Sequence, residues 1–187
     1  MNEDIKNALA VLRNGGTLCY PTDTIWGVGC DATNADAIKK IYALKQRTAS
    51  MPLLILVDSA AMLERYVENP PEVAFDIIEL SEKPVTIIFE KGINLPANLL
   101  SADGSIGIRV SREAFTQQLI QQFRRPIVST SANFHGKQSP QFYDQISETI
   151  IENVDYVVSY RQDDRSPQEA SSIIKLTNAG VCTIIRP

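Results

Sequence analysis

The apolar positions of this chain fall into runs whose period changes along its length. Ile5, Ala8, Leu9 and Leu12 recur at helical spacing and Gly15-Gly16 closes the pattern, which predicts a first helix. Residues 17–20 then read as a strand that Pro21 ends, because proline cannot donate to a ladder. An extended pattern resumes over 25–30. Asn34 is a suitable N-cap for a helix over 35–44, in which Ala37, Ile38, Ile41 and Leu44 form one stripe. Residues 53–57 are an unbroken aliphatic run and predict a strand buried on both faces. Helical patterns follow near 59–66 and 71–80, then a β-branched strand over 85–89. Residues 91–104, rich in Gly, Pro and Asn, read as loop. A short strand over 106–110 and a helix over 112–123 precede a strand over 127–129 that leads into a polar loop. Residues 142–150 read as helix, 154–158 as extended and 161–168 as a charged loop; 172–176 and 181–185 read as closing strands.

Strands and helices alternate, but two strand pairs have only short connections. This predicts an α/β fold on a mixed sheet rather than a strictly doubly wound one. The sequence shows no repeat, low-complexity tract or composition break, so a single domain over 1–187 is expected. Hydrophobic residues make up 44% of the chain, enough for a substantial core. A net charge of -4 argues against a dedicated nucleic-acid binder but leaves room for a local basic cavity. Cys19, Cys30 and Cys182 are too few and too far apart for a disulfide framework or a zinc site. The single histidine, His135, excludes a histidine metal cluster. The N-terminal segment lacks the apolar core of a signal peptide, and no stretch approaches the roughly 20 apolar residues that span a bilayer. A cytoplasmic location, with no membrane contact, is the expectation.

Candidate chemistry lies in four polar stretches at strand ends, where α/β folds place ligands. Thr22-Asp23-Thr24 offers two hydroxyls and a carboxylate directly after a strand, with Trp26 close by. It reads equally as a turn that satisfies its own backbone. Lys45 and Arg47 bring two cations suited to a phosphate, and equally suit a helix C-terminus, where positive charge complements the dipole. On a continuing helix they would face different ways; in a loop they can converge. Ser129-Thr130-Ser131-Ala132-Asn133 packs small hydrogen-bonding groups, as a ligand loop or as an ordinary turn. Ala170-Ser171-Ser172 enters a strand, and Arg186 lies just behind the last one. Neither a P-loop nor a GxGxxG fingerprint is present, so any nucleotide site is of another kind. Without a GxSxG elbow, and with only His135 as a possible base, triad catalysis is not expected.

Together these stretches resemble the YrdC-type threonylcarbamoyl-AMP synthase family, across essentially the whole chain and in order. Tyr20-Pro-Thr-Asp-Thr-Ile-Trp-Gly-Val-Gly-Cys-Asp31-Ala32 is similar to its opening signature, Lys45-Gln46-Arg47 to its KxR element and Ser131-Ala132-Asn133 to its SxN element. Pro84-Val85-Thr86, Ile108-Arg109-Val110 and the terminal Arg186 match further positions. The chain departs from the pattern at Trp26 for Tyr, Thr48 for Pro, Leu56 where longer members carry His, Ser111 for Pro, and Ala170-Ser171-Ser172 for Pro-Ser-Thr. It resembles the short form of the family, without the extra C-terminal domain.

The resemblance implies a YrdC-like twisted mixed sheet flanked by helices, with a large concave polar cavity. It implies that L-threonine, bicarbonate and ATP give threonylcarbamoyl-AMP and pyrophosphate, with Mg²⁺ held mainly by the phosphates and no protein metal ligand. A separate transferase would then use the adenylate to make N6-threonylcarbamoyladenosine next to the anticodon of tRNA. By the same resemblance Lys45 and Arg47 are the catalytic electrostatic clamp. Thr22 and Thr24 read the threonine, with Trp26 near its apolar part. Arg109, Ser129, Ser131, Asn133, Ser171 and Arg186 join the clamp in holding the nucleotide, while His135 sits in a variable loop and is not a base. The family's association with double-stranded RNA points to a patch drawn from Lys39, Lys40, Lys45, Arg47, Arg124 and Arg125. A non-catalytic RNA-binding or ribosome-assembly module, or a paralogue with another substrate, are the competing readings.

Overall fold

Asn34 begins a helix because its side-chain carbonyl accepts from the backbone N–H groups of Asp36 and Ala37, at 3.0 and 3.1 Å. That helix runs Ala35–Leu44, as its stripe predicts. The structure is a computed structural model that describes residues 1–47, 53–134 and 136–187. Thr48 and His135, on which readings fall, lie outside the described residues.

In chain order the elements are α1 (Asn2–Arg13), β1 (Thr17–Tyr20), β2 (Gly27–Cys30), α2 (Ala35–Leu44), β3 (Leu54–Val57), α3 (Ala60–Leu63), α4 (Val73–Leu80) and β4 (Val85–Phe89). They continue as β5 (Ile106–Val110), α5 (Ala114–Phe123), β6 (Ile127–Ser131), a 3-10 turn (Tyr143–Gln145), α6 (Glu148–Asn153), β7 (Tyr156–Val157), β8 (Ser172–Leu176) and β9 (Cys182–Arg186). The strands form one sheet in the order β7-β1-β2-β6-β3-β5-β4-β8-β9. The ladders β1–β7, β3–β5 and β4–β8 are parallel and the rest antiparallel, so the sheet is mixed, as the short connections imply.

Two apolar clusters hold the layers together. The main one joins Ile5, Leu9 and Leu12 of α1 to Phe115, Leu119 and Phe123 of α5 and to the sheet. A smaller one gathers Cys19, Trp26, Val28, Ala132, Ile146 and Ile150 beneath the 3-10 turn and α6.

Three local readings change in the folded chain. Residues 142–150 are not one helix: Ile146 and Ser147 are extended, with ψ of 131° and 132°, which separates the 3-10 turn from α6. The strand read over 127–129 continues through Thr130 and Ser131, because β2 supplies a ladder in which Gly27 pairs with Ser131 and Val28 with Thr130. The 53–57 run is not buried on both faces throughout, since Leu54 is half-buried and opens onto a cavity.

Gly29 is where the sheet tolerates no side chain. A Cβ there would stand 1.9 Å from the Val128 carbonyl oxygen and 3.0 Å from the Tyr20 ring. Because backbone cannot step aside as a flexible side chain can, Gly29→Ala is expected to cost about 3 kcal/mol of folding free energy. Urea denaturation followed by circular dichroism measures this, and an unchanged midpoint would show that β1, β2 and β6 are less closely packed than described.

Candidate functional site

Side-chain alternation along the strands builds the floor of one cavity. Thr86 and Ile88 of β4, Gly107 and Arg109 of β5, Ser129 and Ser131 of β6, and Ile173 and Lys175 of β8 all face it. The interleaved Ile87, Ile108, Val128 and Ile174 are buried. The cavity has a volume of about 440 Å³ and is completed by Thr22, Thr24, Arg47, Ser171 and Arg186. That is the size range of small-ligand sites, which run from roughly 300 to 1,000 Å³. Four cationic side chains line it (Arg47, Arg109, Lys175 and Arg186), and among the described residues no carboxylate does.

Eight of the residues singled out in the sequence meet here: Thr22, Thr24, Arg47, Arg109, Ser129, Ser131, Ser171 and Arg186. Lys45, Asn133 and Trp26 lie behind the wall. Gln46, with φ of 50°, breaks away from α2, so Lys45 and Arg47 diverge rather than stand side by side. Lys45 is 3% exposed; its Nζ donates to the Ser131 carbonyl and lies 3.5 Å from both Ser131 Oγ and Asn133 Oδ1. Burial, aided by the nearby Arg47, pushes its pKa down to about 8. Arg47 reaches the cavity, with Nη1 3.5 Å from Thr130 Oγ1, and burial lowers its pKa too. The Asn133 amide donates to the Phe134 and Lys137 carbonyls and so closes its own loop. Trp26 is 5% exposed, packs on Tyr143 at 5.1 Å between ring centroids, and borders only a small side pocket next to Thr22 and Thr24.

The Thr22–Ile25 turn is closed by its own side chains. Thr22 Oγ1 donates to the Ile25 carbonyl at 2.8 Å and accepts from the Thr24 N–H at 3.1 Å. A hydroxyl has one proton, so the 2.9 Å contact between the two threonine hydroxyls must be a donation from Thr24 to Thr22. Thr22 is thereby the hub of the turn, and Thr24 presents lone pairs to the cavity. Asp23 turns away from any ligand: it pairs with Arg109 at 3.1 Å, with both side chains under 10% exposed. The groups are not aligned for a hydrogen bond, so the contact is chiefly charge on charge.

On the far wall, sequence names Thr86, Ser171 and Arg186 but not their pairing, and misses Lys175. Thr86 and Ser171, both buried, share a hydroxyl hydrogen bond of 2.8 Å, and Arg186 donates twice to the Ser171 carbonyl, at 3.0 and 2.6 Å. Arg186 belongs to β9 rather than lying behind it. Lys175 stands on the same wall, 3.7 Å from Asp103. The period-two pattern of 172–176 could have revealed Lys175, since it shares a face with Ile173.

Fold and site together define an α/β domain whose mixed sheet carries a cavity lined by cationic and hydroxyl side chains. The chain belongs to the Sua5/YciO/YrdC family, whose profile, described as "Telomere recombination", matches residues 10–187. It is 31% identical to a human protein named threonylcarbamoyl-AMP synthase, over 99% of this chain and 67% of that one. It is also 31% identical to a putative threonylcarbamoyl-AMP synthase of Methanocaldococcus jannaschii, over 97% of this chain and 86% of that one. Among solved structures, Sua5 of P. abyssi complexed with L-threonine superposes with a TM-score of 0.87 at 26% identity. The alignment covers 98% of this chain and 53% of that one, so the present chain spans about half of its length.

Proposed function

We propose that this protein is a threonylcarbamoyl-AMP synthase. The observation that carries the reading is the cavity in which the Thr24 acceptor and four cationic side chains face one another, with no lining carboxylate among the described residues. The threonine amine attacks the carbon of bicarbonate, giving a carbamate and water. A carbamate oxygen then attacks the α-phosphorus of ATP and pyrophosphate leaves. Both partners are anionic, so the step needs fixed positive charge and hydrogen-bond donors more than a strong base. Arg47 is assigned to the phosphates, supported from behind by Lys45 through Ser131. Ser129, Ser131, Ser171, Arg109 and Arg186 are assigned to the nucleotide, and Thr24 to the substrate amine.

Mg²⁺ would enter with ATP. The donor set offers it no protein ligands, since no carboxylate lines the cavity and no group of three candidate ligands exists among the described residues. The product would pass to a separate transferase that modifies tRNA. Direct contact with double-stranded RNA would fall to Lys39, Lys40, Arg124 and Arg125, because Lys45 and Arg47 turn inward. No helix among the described residues is long and apolar enough to cross a membrane.

Pyrophosphate release from ATP is the test. It is expected to require both L-threonine and bicarbonate, and equal turnover with either omitted would reject the reading.

A further inference from the structure

We propose that Arg161, in the charged loop after β7, is a positioning residue that holds the Thr22–Trp26 turn in the shape that presents Thr24 to the ligand. The inference deepens the synthase reading and rests on it for the identity of that ligand.

Side chains from outside hold this segment at three residues, and the Ala132 N–H donates to the Trp26 carbonyl at 2.9 Å. Thr116 Oγ1 on α5 donates to the Pro21 carbonyl at 2.9 Å. Arg109 holds the Asp23 carboxylate from the cavity side. Arg161 Nη1 donates to the Thr22 carbonyl at 3.2 Å. The third comes from the loop after β7, and that loop is shaped to deliver it. Arg161 has a φ of 66°, a left-handed conformation uncommon for a residue with a Cβ. Its guanidinium is anchored on Asp164, with Nε at 2.9 Å and Nη2 at 2.8 Å from one carboxylate oxygen. Asp164 is fixed in turn by the Ser166 N–H at 2.8 Å, and that bond, with others, holds its carboxyl at about 2, so the pair stays charged at neutral pH. Glu113, which caps α5 through the Thr116 N–H, lies 3.8 Å from Arg161 Nη1.

The consequence follows from how the turn is wired. Thr22 is the hub that forces Thr24 to present lone pairs, so the direction of the Thr24 hydroxyl depends on where the Thr22 backbone sits. Arg161 borders the small pocket behind Thr22 and Thr24 without lining the main cavity. Removing it loosens the amino-acid end and leaves the nucleotide end as it was.

The test compares wild type, Arg161→Ala and Arg161→Lys in pyrophosphate release and in the fluorescence of Trp26. Trp26 is the chain's only tryptophan and borders the same pocket, so its emission reports this turn alone. Arg161→Ala is expected to raise KM for L-threonine about tenfold, the loss of one charge-assisted hydrogen bond, with KM for ATP within about twofold. Acrylamide should quench Trp26 more strongly in this variant while Tm stays close to wild type. Arg161→Lys, which can keep one hydrogen bond, should recover part of both effects. Unchanged quenching with an unchanged KM for threonine would overturn the proposal, as would equal rises in both KM values. Greater quenching in a protein whose wild type shows no threonine-dependent turnover would uphold the positioning role and reject the synthase reading instead.

Discussion

Arg47→Ala is expected to slow threonine-dependent pyrophosphate release about 100-fold or more, the usual cost of one preorganised electrostatic contact. Arg47 is the only one of the KxR pair that lines the cavity, and it lies on no apolar face, so the variant should fold. Lys45→Ala should also lose about 100-fold, but by another route: without its ammonium the Ser131 carbonyl keeps only the Asn133 N–H as donor, and the β6 end that faces the phosphates relaxes. The pH dependence separates the two roles. With its pKa pushed down to about 8, Lys45 loses its proton as pH rises through that value, and the wild-type rate should fall there. Stability should move the other way. Between about pH 8 and the ordinary lysine value of 10.5, the unfolded chain binds a proton that the folded protein does not. The difference in bound protons is positive, so stability rises with pH across that window. Rate and urea midpoint measured from pH 7 to 10 check both signs. A folded Lys45→Ala/Arg47→Ala double variant with nearly wild-type turnover would remove the clamp from the mechanism.

Arg109→Ala should produce the largest loss of stability among the cavity variants. Arg109 and Asp23 are 5% and 8% exposed, and neither carboxylate oxygen of Asp23 has a hydrogen bond of its own. Removing the guanidinium strands a buried negative charge, which typically costs about 3–5 kcal/mol. The double variant Asp23→Ala/Arg109→Ala removes both charges and should recover much of that loss, because replacing a whole buried pair costs far less than breaking it. Urea denaturation of the single and double variants gives the answer. If the double variant is as unstable as the sum of the two single changes, the pair is not coupled and the cost lies in packing alone.

Much of the fold was legible because its signals are local. The α2 boundaries follow from a cap at Asn34 and a stripe of four apolar residues, and β4 and β5 from β-branched runs between loop residues. The 3-10 break at 143–147 was hidden, since Tyr143, Ile146 and Ile150 keep near-helical spacing whether or not the backbone between them is helical. The chemistry-bearing residue types were legible too. Thr22, Thr24, Arg47, Arg109, Ser129, Ser131, Ser171 and Arg186 stand out as polar groups at strand ends and in motif order, and the fold brings them to one cavity.

Which way each of them points was a matter for the tertiary structure. Lys45 and Arg47 are equivalent cations two residues apart in sequence; a positive φ at Gln46 sends one behind β6 and the other into the cavity. Asp23 reads as a ligand-binding carboxylate until β5 places Arg109 against it. Thr130 and Ser131 read as loop until β2 offers them a ladder, and the only proton of Thr22 is taken by the Ile25 carbonyl. Spacing and composition specify which groups are available. A hydrogen bond or an ion pair commits a group to a partner distant in sequence, so the division between contact and support existed only once the sheet had assembled.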